Sequence, residues 1–584
     1  MPVPCTRCSR GRLGAVLTSL AVASLVSAVA DPAWSDETPT VPGSARSPES
    51  VLAAVEIATP LLDHEDWRNA ILRHVRGLLD GHTDGSLGMS SNIGNHLVMV
   101  TLSREGRTAA VARGEGPRLE TALGNAAAEL RSRVTREEID LGILKVDLAL
   151  DASPVERFDR EGRARIDRSL DGIWLLEADL VLLPEELLSR RLIDSSGDLQ
   201  SKRLRRYLAE GVRSDATGLE GNPARAGSAY RTIRFTSFIE GAGREAVRLY
   251  RGNPMRPDRS PASLLASAEE GGRYLVRHQR SDGKFNYSYE SKRDEVGKGY
   301  NLLRHAGTCY ALVELHQATG DPAYLDAADR GLNFLLTHSR GPKEIDREAA
   351  FEAIVSPGDE AKLGGAALAI LAIVQYRNAT GGDERLDRAR RMARFLLFQQ
   401  DADGHFRSKY FYGAPDPKPF ESIYYPGEAI LALLRLYRVD PQDAWLAAAR
   451  AGADWLIDVR DAGKPTSALP HDHWLLMGLD ELHQLTGDER YATHAARIAE
   501  AIVAAQRTVS RYPDWIGSFY DPPRSTPTAT RAEGLVAATR MARRTGQDDT
   551  PLIQALERMA EFQLRCQITQ ENGVYLPRPD LARG

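Results

Sequence analysis

Five times between residues 308 and 567 an alanine-rich apolar helical stretch breaks at a short turn, with Asp at or near its end, and continues as a second, amphipathic stretch. The turn aspartates Asp321, Asp383, Asp443, Asp488 and Asp548 recur at spacings of 62, 60, 45 and 60 residues. Self-similarity on that scale means stacked helical hairpins, since one hairpin alone cannot bury its apolar face. Pairs are predicted at 308–338, 364–400, 428–459, 474–506 and 533–567, after a single helix over 263–279. That makes eleven helices where a closed ring of six hairpins needs twelve. Either residues 51–79 supply the twelfth, or the ring is open, or the chain is truncated relative to its relatives. In such a ring the tight turns share one face and the long loops the other. The long loops here hold the Tyr, His, Glu and Arg side chains suited to chemistry.

At 584 residues, 42% apolar and 27% charged, the chain can bury the cores of two or three domains. A formal net charge of -5 leaves no basic field for nucleic acid. Arg7, Arg10 and Arg12 precede an apolar run over 13–30 that ends Ala28-Val29-Ala30. This pattern predicts an export signal over 1–30, cleaved near Ala30, with an uncleaved membrane anchor as the other reading. Its basic region has no Arg pair, which favours the general secretory route. Cys5 and Cys8 fall inside it, so their spacing is no metal or redox motif, and Cys309 and Cys566 are expected to be buried free thiols. No later apolar stretch reaches membrane length. The expected location is periplasmic or secreted.

Residues 31–50, rich in Pro, Ser and Thr, read as a flexible leader. An α+β domain is predicted over 51–255. Residues 51–79 carry two helical segments, with Ile71, Val75 and Leu78 at helical spacing. Strands follow at 96–102 and 108–112 around a turn at 105–107, then a helix over 119–130 and a strand over 143–150. An apolar run over 172–183 stops at Pro184, and 232–239 pairs with 246–250 across Gly241-Ala242-Gly243. This order of strand pair, helix and later glycine-then-leucine segment resembles the AMMECR fold. The Arg-Gly-Cys-Ile-Gly loop that marks that family is absent, so no site is carried over.

Two helix exits, at 279–285 and 400–406, share Gln-x-x-Asp-Gly-x-Phe, read as a packing device that ties neighbouring outer helices. The clearest chemical cluster is Tyr424-Tyr425-Pro426-Gly427-Glu428-Ala429, which opens the third hairpin. Pro and Gly place Glu428 in the first turn, where the macrodipole favours a carboxylate, so helix-start stabilisation is one reading. The functional reading makes Glu428 an acid, base or hydroxyl acceptor, with Tyr424 or Tyr425 as proton donor or stacking platform. Arg304 and His305 open the first hairpin, after a loop holding Tyr287, Tyr289 and Glu290. They suit an anionic or polyhydroxylated ligand, the rival for Arg304 being a structural ion pair. His471-Asp472-His473-Trp474 precedes the fourth hairpin. Two histidines one residue apart lack the further ligand a metal needs, so hydrogen bonding is expected there, with no metal and no cofactor. Arg531 and Glu533 open the fifth hairpin two residues apart, so one is expected to face the cavity while the other pairs outside.

On the hairpin repeat, the aromatic loops, and the Tyr-Tyr-Pro-Gly-Glu-Ala and Leu-Leu-Arg-His-Ala-Gly segments, residues 263–567 resemble the six-hairpin toroids of carbohydrate-active enzymes. These include unsaturated glucuronyl hydrolases, N-acylglucosamine 2-epimerases and the C-terminal domain of D-glucuronyl C5-epimerases. The last join an α+β N-terminal region to a helical toroid and use tyrosines and a glutamate for proton transfer at a uronic acid, a layout that suits this chain best. The resemblance implies an α+β domain followed by an all-α (α/α) toroid of five to six helical hairpins over 263–584. A polysaccharide or uronic-acid-containing glycan would lie in its cavity, with Glu428, Tyr424 and Tyr425 as catalytic candidates. Tyr289, Arg304, His305, His471, His473, Arg531 and Glu533 are the expected substrate-binding residues. Epimerisation, hydrolysis and elimination stay open, and the alternative is a non-catalytic cell-envelope binding or scaffold protein using the toroid face. A prenyl cyclase is excluded by the missing Asp-x-Asp-Asp acid motif.

Overall fold

The computed structural model describes residues 64–82, 87, 95–167, 170–213, 223–241, 243–255, 259–342, 350–413 and 420–584. The expected signal and leader, and residues 51–63 of the first helical region, lie outside them.

Helix α1 (Glu65–Leu79) buries Ile71, Leu72, Val75 and Leu79, one stripe of a 3.6-residue period. With α2 (Leu119–Arg131) it covers one face of an antiparallel sheet. Seven of its nine strands are β1 (His96–Arg104), β2 (Arg107–Gly116), β3 (Ile143–Ala152), β4 (Asp171–Leu175), β5 (Leu180–Leu182), β6 (Ala229–Glu240) and β7 (Ala246–Tyr250). They run in the order β2-β1-β3-β6-β4-β5, and the long β6 also takes β7 along Ser237–Glu240. The apolar run over 172–183 is a hairpin, β4 with β5, because its second half is buried throughout and so shows no alternation. The other sheet face is closed by Val574 and Tyr575 from the far end of the chain, packed on Leu97, Met99, Val111, Ile233 and Phe235. The Tyr575 hydroxyl lies 3.0 Å from Thr101 Oγ1, and Thr108 Oγ1 donates to the Val574 carbonyl at 3.1 Å. The two halves of the chain are therefore stitched together by the C-terminal segment around Val574 and Tyr575.

Among the described residues the second half holds eleven long helices. They are α3 (Pro261–Arg277), α4 (Leu302–Thr319), α5 (Pro322–Leu336), α6 (Leu363–Thr380), α7 (Leu386–Phe398), α8 (Tyr425–Val439), α9 (Asp443–Trp455), α10 (His473–Thr486), α11 (Glu489–Ala505), α12 (Ser525–Thr545) and α13 (Thr550–Cys566). Even-numbered helices form the inner layer. Helix α6 buries every residue from Leu363 to Val374 and has no polar face, whereas α7 buries one stripe only. Inner helices end on left-handed Gly320, Gly381, Gly487 and Gly546, and Asp321 and Asp488 then cap the outer helix that follows.

Among the described residues the outer layer holds six helices and the inner layer five. Inner helices pack in one row, α4-α6-α8-α10-α12, while α3 lies against α4, α5 and α13. Side chains link the outer helices all the way round. Gln279, just past α3, donates to Ala327 O of α5 at 2.8 Å, and Gln400 past α7 donates to Ala448 O of α9 at 2.9 Å. Gln506 past α11 reaches Ala555 O of α13 at 2.9 Å, and Gln567 past α13 returns to Ser267 O of α3 at 2.8 Å. Arg385 to Asp329 and Tyr491 to Asp454 make the two remaining links. Six outer helices thus close a ring around five inner ones. Residues 65–79 pack in the α+β core and supply no twelfth helix.

The shared Gln-x-x-Asp-Gly-x-Phe loop is the packing device expected. A Cβ on Gly283 or Gly404 would stand 2.2 or 2.3 Å from a carbonyl of the next outer helix. Gln506 with Gly517 is a third copy, hidden in sequence because its spacer is longer. Cys309 is a buried free thiol, but Cys566, at the end of α13, is exposed, contrary to expectation. No described helix is long and apolar enough to cross a membrane.

Candidate active site

All five inner helices start at the rim that carries the long loops. A cavity of ≈ 420 Å³ lies there, lined by residues 303–314 of α4, 425–428 of α8, 473–477 of α10 and 526–533 of α12. It occupies the N-terminal half of the inner layer, away from the Asp-bearing turns.

Glu428 sits in the first turn of α8, which Pro426 and Gly427 begin. A Cβ on Gly427 would lie 2.6 Å from Leu475 N, so this glycine lets α8 approach the start of α10. A Cβ on Gly364 would lie 2.0 Å from Glu428 Oε2, so the carboxyl fills the niche that a second glycine leaves. There Oε2 is buried without a hydrogen-bond partner. Burial, with the neighbouring Asp472 carboxylate second, pushes the Glu428 pKa up to about 8. A helix N-terminus offers a carboxylate only about 0.3–1 kcal/mol, and desolvation outweighs it here. Glu428 is therefore a neutral acid around pH 7, which the helix-start reading does not explain. Tyr425 lies beside it, its phenol pushed up to about 12 by burial and then by Glu428.

On the neighbouring inner helix, His473 opens α10. Asp472 caps that helix, accepting from Leu475 N at 3.0 Å and from Arg460 Nη1 at 3.2 Å. Nε2 of His473 stands 3.7 Å from Oε2 of Glu533, while its Nδ1 and Glu533 Oε2 have no hydrogen-bond partner. Gly534 makes this approach possible, because a Cβ there would stand 3.0 Å from His473 Cα. Burial, then Arg531, pushes the His473 pKa down to about 3. Burial, then Glu314, pushes Glu533 well above the carboxylate range. The two are a neutral imidazole and a neutral acid. Tyr424 meets the His473 ring edge-on at 5.5 Å.

Two arginines stand at the mouth. Arg531 donates from Nε to His471 Nδ1 at 2.9 Å and from Nη2 to the Tyr520 hydroxyl at 3.1 Å, with its guanidinium over Phe519 and Tyr520. Tyr520 holds φ of 67°, a left-handed conformation that costs a non-glycine residue about 1–3 kcal/mol. The exposed Arg304 donates to the Tyr287 hydroxyl at 3.0 Å rather than to a carboxylate.

Of the ten residues singled out from sequence, Glu428, Tyr424, Tyr425, Arg304, His305, His473, Arg531 and Glu533 line this one cavity. Arg531 and Glu533 both face it, against expectation. The long Arg531 side chain bends back to the mouth while Glu533 points inward at His473. His305 contributes wall only. Its Nε2 donates to Gly331 O at 2.7 Å, so Nδ1 accepts from the Tyr300 hydroxyl at 2.5 Å and neither nitrogen is spare. His471 stands behind Arg531. Tyr289 is buried beside Leu576 and Ala582, donates to Asp294 at 2.8 Å, and does not line the cavity. Sequence reasoning missed Tyr310 and Glu314, bonded at 2.6 Å, together with His278 and Asn286. Glu314 had one signal, a carboxylate inside the apolar stretch 311–315 of an inner helix. Among the described residues no group of three or more His, Cys, Asp or Glu is placed to hold a metal ion.

No family model and no curated protein matches the chain. Among solved structures it is similar to cellobiose 2-epimerase from Bacillus thermoamylovorans, at 14% identity and a TM-score of 0.39, over 49% of this chain and 82% of that one. Cellobiose 2-epimerase from Spirochaeta thermophila matches at 17% identity and 0.37, over 50% and 82%. A family 76 α-mannanase from Bacteroides thetaiotaomicron matches at 14% and 0.34, over 44% and 74%. These likenesses give no support to the AMMECR or glucuronyl epimerase resemblance.

Proposed function

We propose that the protein is an exported, carbohydrate-active enzyme that binds a polysaccharide or uronic-acid-containing glycan in the toroid cavity and acts on it by acid/base proton transfer. One observation carries the reading. Glu428 is held neutral, with Oε2 unpaired, in a cavity where the neighbouring inner helix places a neutral histidine with Nδ1 unpaired. A proton donor and a proton acceptor opening onto one cavity from neighbouring helices are what general acid/base chemistry needs. Tyr424 and Tyr425 offer further hydroxyls and ring faces on which a pyranose can stack. Arg304 and Arg531 at the mouth suit a carboxylate or a row of hydroxyls.

The test is to incubate the purified protein in deuterated water with uronate-containing and neutral oligosaccharides, following product and carbon-bound deuterium by NMR. Turnover lost in Glu428→Gln, with thermal unfolding intact, is the expected result. Equal turnover by wild type and variant defeats the assignment. Binding without product in both would favour the non-catalytic reading.

A further inference from the structure

Among the described residues no helix fills a sixth inner position, and the cavity extends into that place. Helices α4 and α12 are the two ends of the inner row, and both line the cavity. Beyond them its wall is the outer helix α3, through Tyr274, Leu275 and His278, with Asn286 from the loop that follows. In a row of six inner helices such residues would be covered.

This corner is furnished for a ligand. His278 Nε2 donates to the Leu581 carbonyl at 2.9 Å, so Nδ1 is left as an acceptor. The Asn286 amide stands 3.4 Å from it, a long and weak contact. The Asn286 backbone is itself fixed by donation to His278 O at 2.8 Å, so the amide is presented on a rigid turn. The Tyr274 ring stands beside the imidazole at 4.3 Å, and the Arg304–Tyr287 pair closes the corner toward solvent. An acceptor, an amide, ring faces and a cation at the edge are the recognition chemistry of a hydroxyl-rich ring. A cavity of ≈ 420 Å³ falls in the range of about 300–1,000 Å³ that encloses drug-sized ligands, comparable to a disaccharide rather than a single sugar.

We propose that the part of the cavity lying between α12 and α4 is a second pyranose subsite, built by Tyr274, His278, Asn286 and Arg304, so that the substrate spans at least two sugar units between it and Glu428. The proposal rests on the carbohydrate reading above and goes beyond it in fixing a minimum ligand length and a second set of contacts.

The experiment compares aryl monoglycosides of glucuronic acid, glucose and mannose with the matching di- and tetrasaccharides, on wild type, Asn286→Ala and Thr308→Trp. Thr308 faces the same corner from α4, so tryptophan there fills it. Expected are a lower KM for the longer ligands on wild type and, in Asn286→Ala, a rise in that KM by about tenfold, the worth of about one lost hydrogen bond. Both variants should leave the monoglycoside KM unchanged. Equal KM for one unit and two on wild type, or equal losses on both in the variants, overturns the subsite while leaving the carbohydrate reading intact. If no sugar of any length binds or turns over, both readings fall.

Discussion

Nε2 of His473 and Oε2 of Glu533 face each other at 3.7 Å without forming an ion pair, because burial penalises both charges more than their attraction returns. A neutral histidine buried this way leaves a signature in stability. Its pKa falls from 6.5 in the unfolded chain to about 3 in the fold, so it costs nothing above pH 6.5 and increasingly more as pH drops toward 3. Urea unfolding of His473→Asn beside wild type should show the variant gaining relative stability only below pH 6.5. A constant difference from pH 4 to 8 would mean that the imidazole is not held neutral.

Glu428 predicts the opposite slope. Its pKa rises from 4.5 to about 8, so folding carries no penalty below pH 4.5, and the penalty grows until about pH 8 and then levels. Glu428→Gln should therefore gain on wild type through that window, by at most about 1.4 kcal/mol per pH unit. Turnover should fall by about 10²–10⁴ in the same variant if Glu428 is the general acid. A variant that loses stability across the whole range would contradict the buried neutral acid.

Asp472 is the second cause of the raised Glu428 pKa. Asp472→Asn keeps a side-chain oxygen to cap α10 but removes the charge, so Glu428 should ionise at lower pH. The alkaline limb of the kcat/KM profile, expected near pH 8 in wild type, should move toward acid. An unmoved limb would separate the two carboxyls functionally.

The glycine niche can be tested by filling it. Gly364→Ala puts a methyl 2.0 Å from Glu428 Oε2 and 2.8 Å from the Tyr425 ring. The carboxyl must move, so activity should drop as in Glu428→Gln, with about 1–3 kcal/mol of destabilisation from overpacking. In the Glu428→Ala background the same substitution should cost much less stability, which a double-mutant cycle reads directly.

The seam that closes the outer ring joins Gln567 to Ser267, Leu264 to Ala560 and Arg259 to Glu561. Gln567→Ala should lower stability by about 0.5–1.5 kcal/mol through loss of the bond to Ser267. Amide exchange should quicken in α3 and α13 while α8 stays protected. Uniform loss of protection would show that the seam is no weaker than the rest.

The hairpin repeat, its Asp-bearing turns and the rim on which chemistry would gather were legible in the chain, because helix periodicity, caps and turn glycines are local properties. So was the Tyr425–Glu428 segment, and eight of the ten residues singled out do line one cavity. Tyr289 looked like its neighbours in sequence, yet Leu576 and Ala582 bury it, nearly three hundred residues downstream. Only the tertiary structure decided that the described helices divide into six outer and five inner ones, that Gly364 of one hairpin shapes the niche for Glu428 of the next, and that Glu428 and His473 are both neutral. Each of these depends on desolvation and on contacts between segments far apart in the chain, and no local pattern of residues carries that information.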